Sequence, residues 1–232
     1  MHLRPIHVRF DWQNGFQPHA LKNEKGVIEV ELAMLHAGSV LDAAQRYTSL
    51  GVEHILLGVD HLLFVLGLLL IVRGPWMLVK TITAFTIAHS ITLGLATLGF
   101  AHVSHRPVEA AIALSIVFLA VEIIHGRQGR EGLAFRFPWV VAFTFGLLHG
   151  FGFAGALSEV GLPPQEIPIA LLFFNIGVEI GQLTFVCVVI GTIWIFKKLR
   201  MNKQAIAEPI TAYAIGTLAM YWFINRAGQI FM

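Results

Sequence analysis

The sequence has little charge and almost no cysteine. Aspartate, glutamate, lysine and arginine make up 13% of its 232 residues, and 56% of the residues are hydrophobic. Soluble domains carry about 25% charged residues, so this chain has too few to cover a water-soluble globule of its size. Its single cysteine, Cys187, excludes an internal disulfide and a thiolate cluster. Any metal site therefore has to use histidine, carboxylate or amide ligands.

Basic charge is scarce as well. The formal net charge is +2, and no dense lysine and arginine patch is interleaved with aromatic residues, as it would be in a nucleic-acid-binding protein. Nucleic acid is therefore excluded as a partner. The lipid bilayer is the expected partner, and association of copies of the chain into a homo-oligomer is left open.

Long apolar stretches dominate what is present. A helix needs about 20 predominantly apolar residues to cross a bilayer, and windows of about 19 residues locate such stretches. The predicted spans are Val52 to Val72, Thr81 to Phe100, Val108 to His125, Trp139 to Leu157, Ile167 to Phe196 and Ile206 to Ile224. The sequence thus predicts an all-α integral membrane bundle of about six transmembrane helices.

Basic residues lie on alternate loops between these spans. The nine on one side are Arg73, Lys80, Arg127, Arg130, Arg136, Lys197, Lys198, Arg200 and Lys203. The positive-inside rule makes that side cytoplasmic, which predicts that both termini lie outside. Residues 1–50 are more polar and are expected to form a short extracytoplasmic segment, with an interfacial helix near Ser39 to Tyr47. Residues 51–232 form the predicted transmembrane domain.

Ionisable residues inside the spans are the candidate functional groups, because charge at membrane depth is costly and usually faces the bundle interior. The first span repeats a carboxylate and histidine pair, Glu53-His54 and Asp60-His61. In one continuous helix this spacing of seven places both pairs on one side, roughly 10 Å apart. A ladder of ligands on one helix face is the expected result.

The other spans add further polar groups. The second carries His89 and Ser90, the fourth carries His149 beside glycines, and the fifth carries Asn175, Glu179 and Gln182 on one face. At 1.5 Å per residue, the deep groups of all four spans fall about 10 to 20 Å below the outer surface. They are predicted to converge in one layer.

Imidazole and carboxylate ligands together suit borderline divalent cations such as Ni²⁺, Co²⁺ or Zn²⁺, whereas Mg²⁺ and Ca²⁺ prefer oxygen alone. We expect the main metal site to be formed by Asp60, His61, His89, His149 and Glu179, with Glu53 and His54 as an outer step. Ser90, Asn175 and Gln182 are expected to orient these ligands.

Five motifs in order resemble the HupE/UreJ family of bacterial membrane proteins. They are Glu53-His54 through Asp60-His61-Leu-Leu-Phe, Phe85-Thr-Ile-Ala-His89-Ser90, Val108-Glu109-Ala-Ala-Ile-Ala-Leu-Ser115, Gly146-Leu-Leu-His149-Gly-Phe-Gly-Phe and Phe174-Asn175-Ile-Gly-Val-Glu179-Ile-Gly-Gln182. The resemblance implies a small multi-pass permease of the bacterial inner membrane, associated with nickel or cobalt uptake, with Asp60 and His61 as metal ligands. The nickel members carry a Phe-His-Gly-x-x-His-Gly motif that this chain lacks, so it is similar to a divergent branch.

The leading hypothesis is therefore a permease for a divalent transition-metal cation. The alternative is an intramembrane zinc-dependent hydrolase that acts on a lipid or acyl substrate, because three histidines and a carboxylate can hold Zn²⁺ with one position open for water. A closed three-histidine site with a lateral opening to lipid would favour hydrolysis. An axial path with several partial sites would favour transport.

Overall fold

The computed structural model describes residues 22–23, 26–27, 40–101, 103–159, 167–198 and 204–230. The chain divides into two compact units, residues 1–39 and 40–232. In the first unit, β1 (Lys22–Asn23) pairs with β2 (Gly26–Val27) in an antiparallel sheet. The helical unit begins at Val40, earlier than the predicted boundary at residue 51, because the helix that starts there buries Tyr47 in the core.

All the regular elements in the described residues of the second unit are helices. Its helices are α1 (Val40–Leu57), α2 (Val59–Ile71), α3 (Pro75–Thr97), α4 (His105–Arg127), α5 (Leu133–Arg136), α6 (Pro138–Glu159), α7 (Ile167–Lys198) and α8 (Gln204–Gly228). Together with the apolar lengths of these helices, this confirms the predicted all-α membrane bundle.

Local sequence explains where α3 begins and ends. Pro75 occupies the start of the helix, where its missing N–H costs nothing and its fixed φ is already helical. Gly74 before it has φ of 95°, and Gly99 after the helix has φ of 79°. Both are left-handed conformations that glycine adopts without steric cost.

Three of the helices in the described residues are long and apolar enough to cross a membrane: Pro75–Thr97, His105–Arg127 and Ile167–Lys198. α1 and α2 would form a fourth span together, and α6 contains a shorter apolar stretch, Pro138–Gly152. Large apolar side chains such as Val188 and Ile210 are 61% exposed on the outer faces, where lipid would cover them. The count of six spans and the outside position of both termini stay predictions.

The first span is not the continuous helix that the sequence predicts. α1 and α2 meet at a bend of 74°, with Gly58 between them at φ −79° and ψ 87°. A β-carbon at Gly58 would crowd the carbonyl oxygen of His54 and the Nδ1 of His61. The apolar run gave no sign of this break, because it depends on how the two halves pack against other helices.

Helix pairing places α2 in the centre of the bundle. α1 packs along α7, α3 along α6 and α4 along α8, while α2 contacts helices from all three pairs. Its buried Phe64, Leu68 and Ile71 form a core with residues from α3, α4, α5, α6 and α8. A second core joins α1, α3 and α7 around Ile55, Leu93 and Phe174. The central helix therefore carries His61 into the interior.

A buried carboxylate fixes the loop that joins α4 to α6. Glu122 is 8% exposed, and its Oε2 accepts a hydrogen bond of 2.8 Å from the backbone N–H of Ala134, at the start of α5. The carboxylate lies so close to Gly132 that a β-carbon there would overlap it. Glu122 thus satisfies a helix-end N–H that would otherwise be buried without a partner.

Replacing Glu122 with alanine is expected to lower the free energy of unfolding by about 1 to 3 kcal/mol, because the Ala134 N–H loses its partner in a buried position. Denaturant unfolding of purified protein in mixed micelles would measure the change. Glu131→Ala is the matched control in the same loop. Its carboxylate is 48% exposed and pairs with Arg73, so its loss should cost under about 1 kcal/mol. Equal stability of the two variants would contradict this role for Glu122.

Candidate metal centre

Four histidine side chains from four helices lie together in the bundle interior. His61 of α2 is central: its ring centroid is 4.8 Å from that of His54, 6.1 Å from that of His89 and 4.9 Å from that of His149. His61, His89 and His149 are buried, and His54 is half-buried. We call these four residues the histidine cluster.

Three members have the spacing of a metal-binding group. His54, His61 and His89 each offer a ring nitrogen, and these nitrogens lie within 4.8 Å of one another. In the part of the chain that the structure describes, this group contains no carboxylate. Nitrogens bound to one tetrahedral Zn²⁺ at 2.0 to 2.1 Å are about 3.4 Å apart. Small side-chain movements would therefore close this group around a cation.

Hydrogen bonding determines which nitrogen of His89 is free. The Nδ2 of Asn175 donates to the carbonyl oxygen of Leu171 at 2.8 Å, which turns the Oδ1 of Asn175 toward His89. This oxygen lies 3.1 Å from the Nδ1 of His89 and can only accept, so Nδ1 carries the proton. The lone pair of His89 is thus left on Nε2. Metal-binding histidines are typically oriented in this way.

His149 is oriented by its own helix. Its Nδ1 lies 2.8 Å from the carbonyl oxygen of Phe145, one turn earlier. A carbonyl accepts only, so Nδ1 again donates and the lone pair is again on Nε2. The Nε2 atoms of His61, His89 and His149 are buried without a hydrogen-bond partner among the described residues. Buried polar atoms are normally paired, so these three make the cluster the candidate ligand-binding position among the described residues.

Phenylalanine rings surround the cluster. Phe64, Phe85 and Phe174 are at most 1% exposed. Phe64 and Phe85 lie 5.2 Å and 5.1 Å from the ring centroid of His149, and Phe174 lies 5.4 Å from that of His54. These apolar walls exclude water and lower the local dielectric, which strengthens any interaction between a cation and the imidazoles.

Glycines allow the helices that carry the cluster to approach closely. A β-carbon at Gly150 of α6 would collide with Thr92 Oγ1 and with the backbone oxygen of His89, both on α3. A β-carbon at Gly51 of α1 would collide with the backbone oxygen of Phe174 on α7. Such contacts between small residues are typical of packed membrane helices. They hold α6, the helix of His149, against α3, the helix of His89, and α1, the helix of His54, against α7.

A pocket of about 350 Å³ opens beside the bend of the first span. It is lined by Leu50, Glu53, His54, Leu57 and Gly58. Glu53 is exposed and His54 is the member of the cluster that borders the pocket. The pocket therefore places the Glu53 carboxylate beside the one member of the cluster that is not fully buried.

A family model described as HupE / UreJ protein matches residues 30–226. The chain belongs to the HupE/UreJ family. No curated protein and no solved structure gives a significant match. The resemblance in the five sequence motifs is thus confirmed over most of the chain, including every helix that carries the histidine cluster.

The predicted carboxylate ligands of this HupE/UreJ protein lie outside the cluster. Asp60 accepts a hydrogen bond of 2.9 Å from the Nη2 of Arg226 in an ion pair, with the two side chains 22% and 24% exposed. Arg226 also donates to the carbonyl oxygen of Glu109 at 3.2 Å. Asp60 thus ties α2 to α8 and α4 through Arg226, and the candidate metal group among the described residues does not include it, unlike in the predicted ladder.

The remaining predicted residues lie around the cluster rather than in it. Glu179 accepts a hydrogen bond of 2.5 Å from Thr83, and Gln182 accepts one of 3.1 Å from Thr86. Ser90 donates to the carbonyl oxygen of Thr86 in its own helix. The structure therefore brings together the four predicted histidines, with Asn175 as their orienting residue.

Two kinds of residue around the site are missing from the sequence-based prediction. Arg226 is 166 positions from Asp60, so no local pattern could have identified their pairing. Phenylalanines within apolar spans are most simply expected to be lipid-facing or packing residues. Phe64 follows His61 by three positions, and Phe85 precedes His89 by four. This helical spacing is the signal that could have placed the two rings beside the histidines.

Proposed function

We propose that this protein is a permease for a divalent transition-metal cation of the nickel and cobalt class, in the bacterial cytoplasmic membrane as a multi-pass protein. The observation that carries this proposal is the histidine cluster. The hydrogen bonds of His89 and His149 hold their lone pairs on Nε2, and these atoms are buried without a partner among the described residues. The cation is the transported substrate.

The donor atoms determine which cations this centre would take. The cluster offers imidazole nitrogen, which suits Ni²⁺, Co²⁺ and Zn²⁺ and is a poor match for Mg²⁺ and Ca²⁺. The absence of thiolates from the described group disfavours Cu⁺, which prefers soft sulfur ligands. Membership of the HupE/UreJ family favours Ni²⁺ and Co²⁺ among the cations that remain.

The pocket and the spacing of the nitrogens support transport. Glu53 would attract a cation from the surface, and His54 borders both the pocket and the cluster. The nitrogens lie up to 4.8 Å apart, so the cluster is looser than a closed structural zinc site. Conduction requires a site that the cation can also leave, and loosely spaced neutral ligands meet this requirement.

Uptake of Ni²⁺ and Co²⁺ into proteoliposomes would test the proposal. Wild-type protein should accumulate either cation above empty liposomes, and His61→Gln should reduce the initial rate at least about tenfold because the central ligand is lost. His125→Gln is the matched control, since His125 is exposed at the end of α4. Uptake equal to that of empty liposomes would sink the assignment, and so would a His61→Gln rate equal to that of wild type.

The hydrolase alternative has one observation in its favour. Three histidines group beside a pocket that has leucine walls, Leu50 and Leu57. If these histidines held Zn²⁺, the ion would supply a Lewis acid and an activated water. Release of fatty acid from lipid or acyl esters by the zinc-loaded protein, lost in His89→Gln, would favour this candidate. Cation uptake without hydrolysis would eliminate it.

A further inference from the structure

A line of polar side chains joins α3 and α7 one turn away from the histidine cluster. The Oγ1 of Thr83 donates to Glu179 at 2.5 Å, and the Oγ1 of Thr86 donates to Gln182 at 3.1 Å. Each helix contributes two residues three positions apart, so the four side chains lie next to one another on facing helices. We call these four residues the polar seam.

The polar seam continues directly from the cluster. On α3, Thr86 and Thr83 precede His89 by three and six positions, which places Thr83 roughly 9 Å from it along the axis. On α7, Glu179 follows Asn175, the partner of His89, by one turn. The seam therefore leads toward the start of α3 and the end of α7. The predicted orientation makes that side of the membrane cytoplasmic.

Glu179 is the only member of the seam with an ionisable side chain, and no ion pair among the described residues includes it. Among the side chains that the structure describes, the ion pairs are Arg73 with Glu131, Arg127 with Glu208 and Arg226 with Asp60. None of them includes Glu179, which is half-buried in the centre of a long apolar helix. Carboxylates at membrane depth are costly and typically mark ion or proton pathways.

Gln182 adds a buried polar atom that lacks a partner. Its side chain is fully buried, and its Nε2 has no hydrogen-bond partner within the described residues. An amide N–H donates and cannot bind a bare cation, but it can donate to a water molecule that a cation carries. Buried amides normally contact water or another polar group, so Gln182 is suited to a hydrated cation rather than a bare one.

We propose that the polar seam is a second station for the transported divalent cation, which enters it from the histidine cluster in a partly hydrated form. This inference rests on the proposed function. The seam offers carboxylate, hydroxyl and amide oxygen, whereas the cluster offers nitrogen. Transition metals such as Ni²⁺ bind imidazole in preference to such oxygens, so the seam holds the cation more weakly and lets it leave.

Glu179→Gln is the decisive variant, because a glutamine oxygen can still accept the hydrogen bond from Thr83. Calorimetry of Ni²⁺ binding should show affinity at the histidine cluster within about twofold of wild type, since the cluster is intact. A second, weaker binding event should be present in wild type and absent from the variant. Initial uptake of Ni²⁺ into proteoliposomes should fall at least about tenfold, because the path has lost its charged station.

Thr83→Val and Thr184→Val form a matched pair of the same substitution on α3 and α7. Thr184 is exposed and its loss should leave uptake unchanged, whereas Thr83→Val should slow uptake without weakening binding at the cluster.

Wild-type uptake in Glu179→Gln would overturn the second station without affecting the proposal that the protein is a permease. Loss of cluster affinity in that variant would also overturn it, by placing Glu179 in the first site. A wild-type protein that neither binds nor transports Ni²⁺ would overturn the proposed function, and the station with it.

Discussion

Replacing His89 with glutamine is expected to weaken Ni²⁺ binding to the purified protein by more than about 100-fold. The change removes a nitrogen from the group of His54, His61 and His89, and even indirect partners of metal ligands contribute 10- to 100-fold to affinity. Glutamine has a similar length, so the packing of α3 against α6 should persist. Isothermal titration calorimetry of the detergent-purified protein would measure the effect.

A variant of Asn175 provides a second Ni²⁺ affinity with which that of His89→Gln can be compared. Asn175→Leu removes the oxygen that holds the Nδ1–H of His89 but leaves all four imidazoles in place, so affinity should fall by about 10- to 100-fold. The loss should therefore be smaller than in His89→Gln. If both variants bound Ni²⁺ as tightly as wild type, the histidines would be packing groups and the metal centre would be rejected.

Replacing Gly150 with alanine is expected to prevent stable assembly of the bundle. The added methyl group would collide with Thr92 Oγ1 and the backbone oxygen of His89. The backbone oxygen cannot move without shifting α3. Overpacking in a core costs about 1 to 3 kcal/mol and sometimes more, and α3 with α6 is a closely packed helix pair. The yield of monodisperse protein and its thermal unfolding midpoint should both drop sharply.

Gly191→Ala is the matched control for this variant. A β-carbon at Gly191 in α7 would meet nothing within 4 Å, so the substitution should be neutral or should stabilise the helix by up to about 1 kcal/mol. The same substitution is thus expected to lower the stability of the protein at Gly150 and to maintain or raise it at Gly191. Normal yield and stability for Gly150→Ala would show that α3 and α6 do not pack closely enough at Gly150 to exclude a methyl group.

The histidines could be predicted from the sequence, but the positions of the carboxylates could not. A buried imidazole at membrane depth has few places to lie except the bundle interior, so His61, His89 and His149 were placed together by depth alone. The carboxylate of Asp60 can form an ion pair with any cationic side chain that lies beside it. Whether it faces a metal site or an arginine depends on where α8 ends, and a single sequence holds no information on that contact.

The break in the first span escaped prediction for a related reason. Apolar length identifies a span but does not require the span to be straight, and a lone glycine within such a run usually does not interrupt the helix. A β-carbon at Gly58 would lie 2.7 Å from the carbonyl oxygen of His54 and 3.0 Å from the Nδ1 of His61, so the residue at the break has to be small for the two histidines to lie where they do. The fold class therefore followed from composition, while the geometry of the site depends on a break that composition does not predict.

The bend determines the distance between the side chains of His54 and His61. In a straight helix, residues seven positions apart are separated by roughly 10 Å along the axis, but across the 74° bend the two rings are 4.8 Å apart. A cation held by both imidazoles would bridge the bend. Straightening the first span would separate the two rings and open this bridge, so retention of the cation would depend on the angle between α1 and α2.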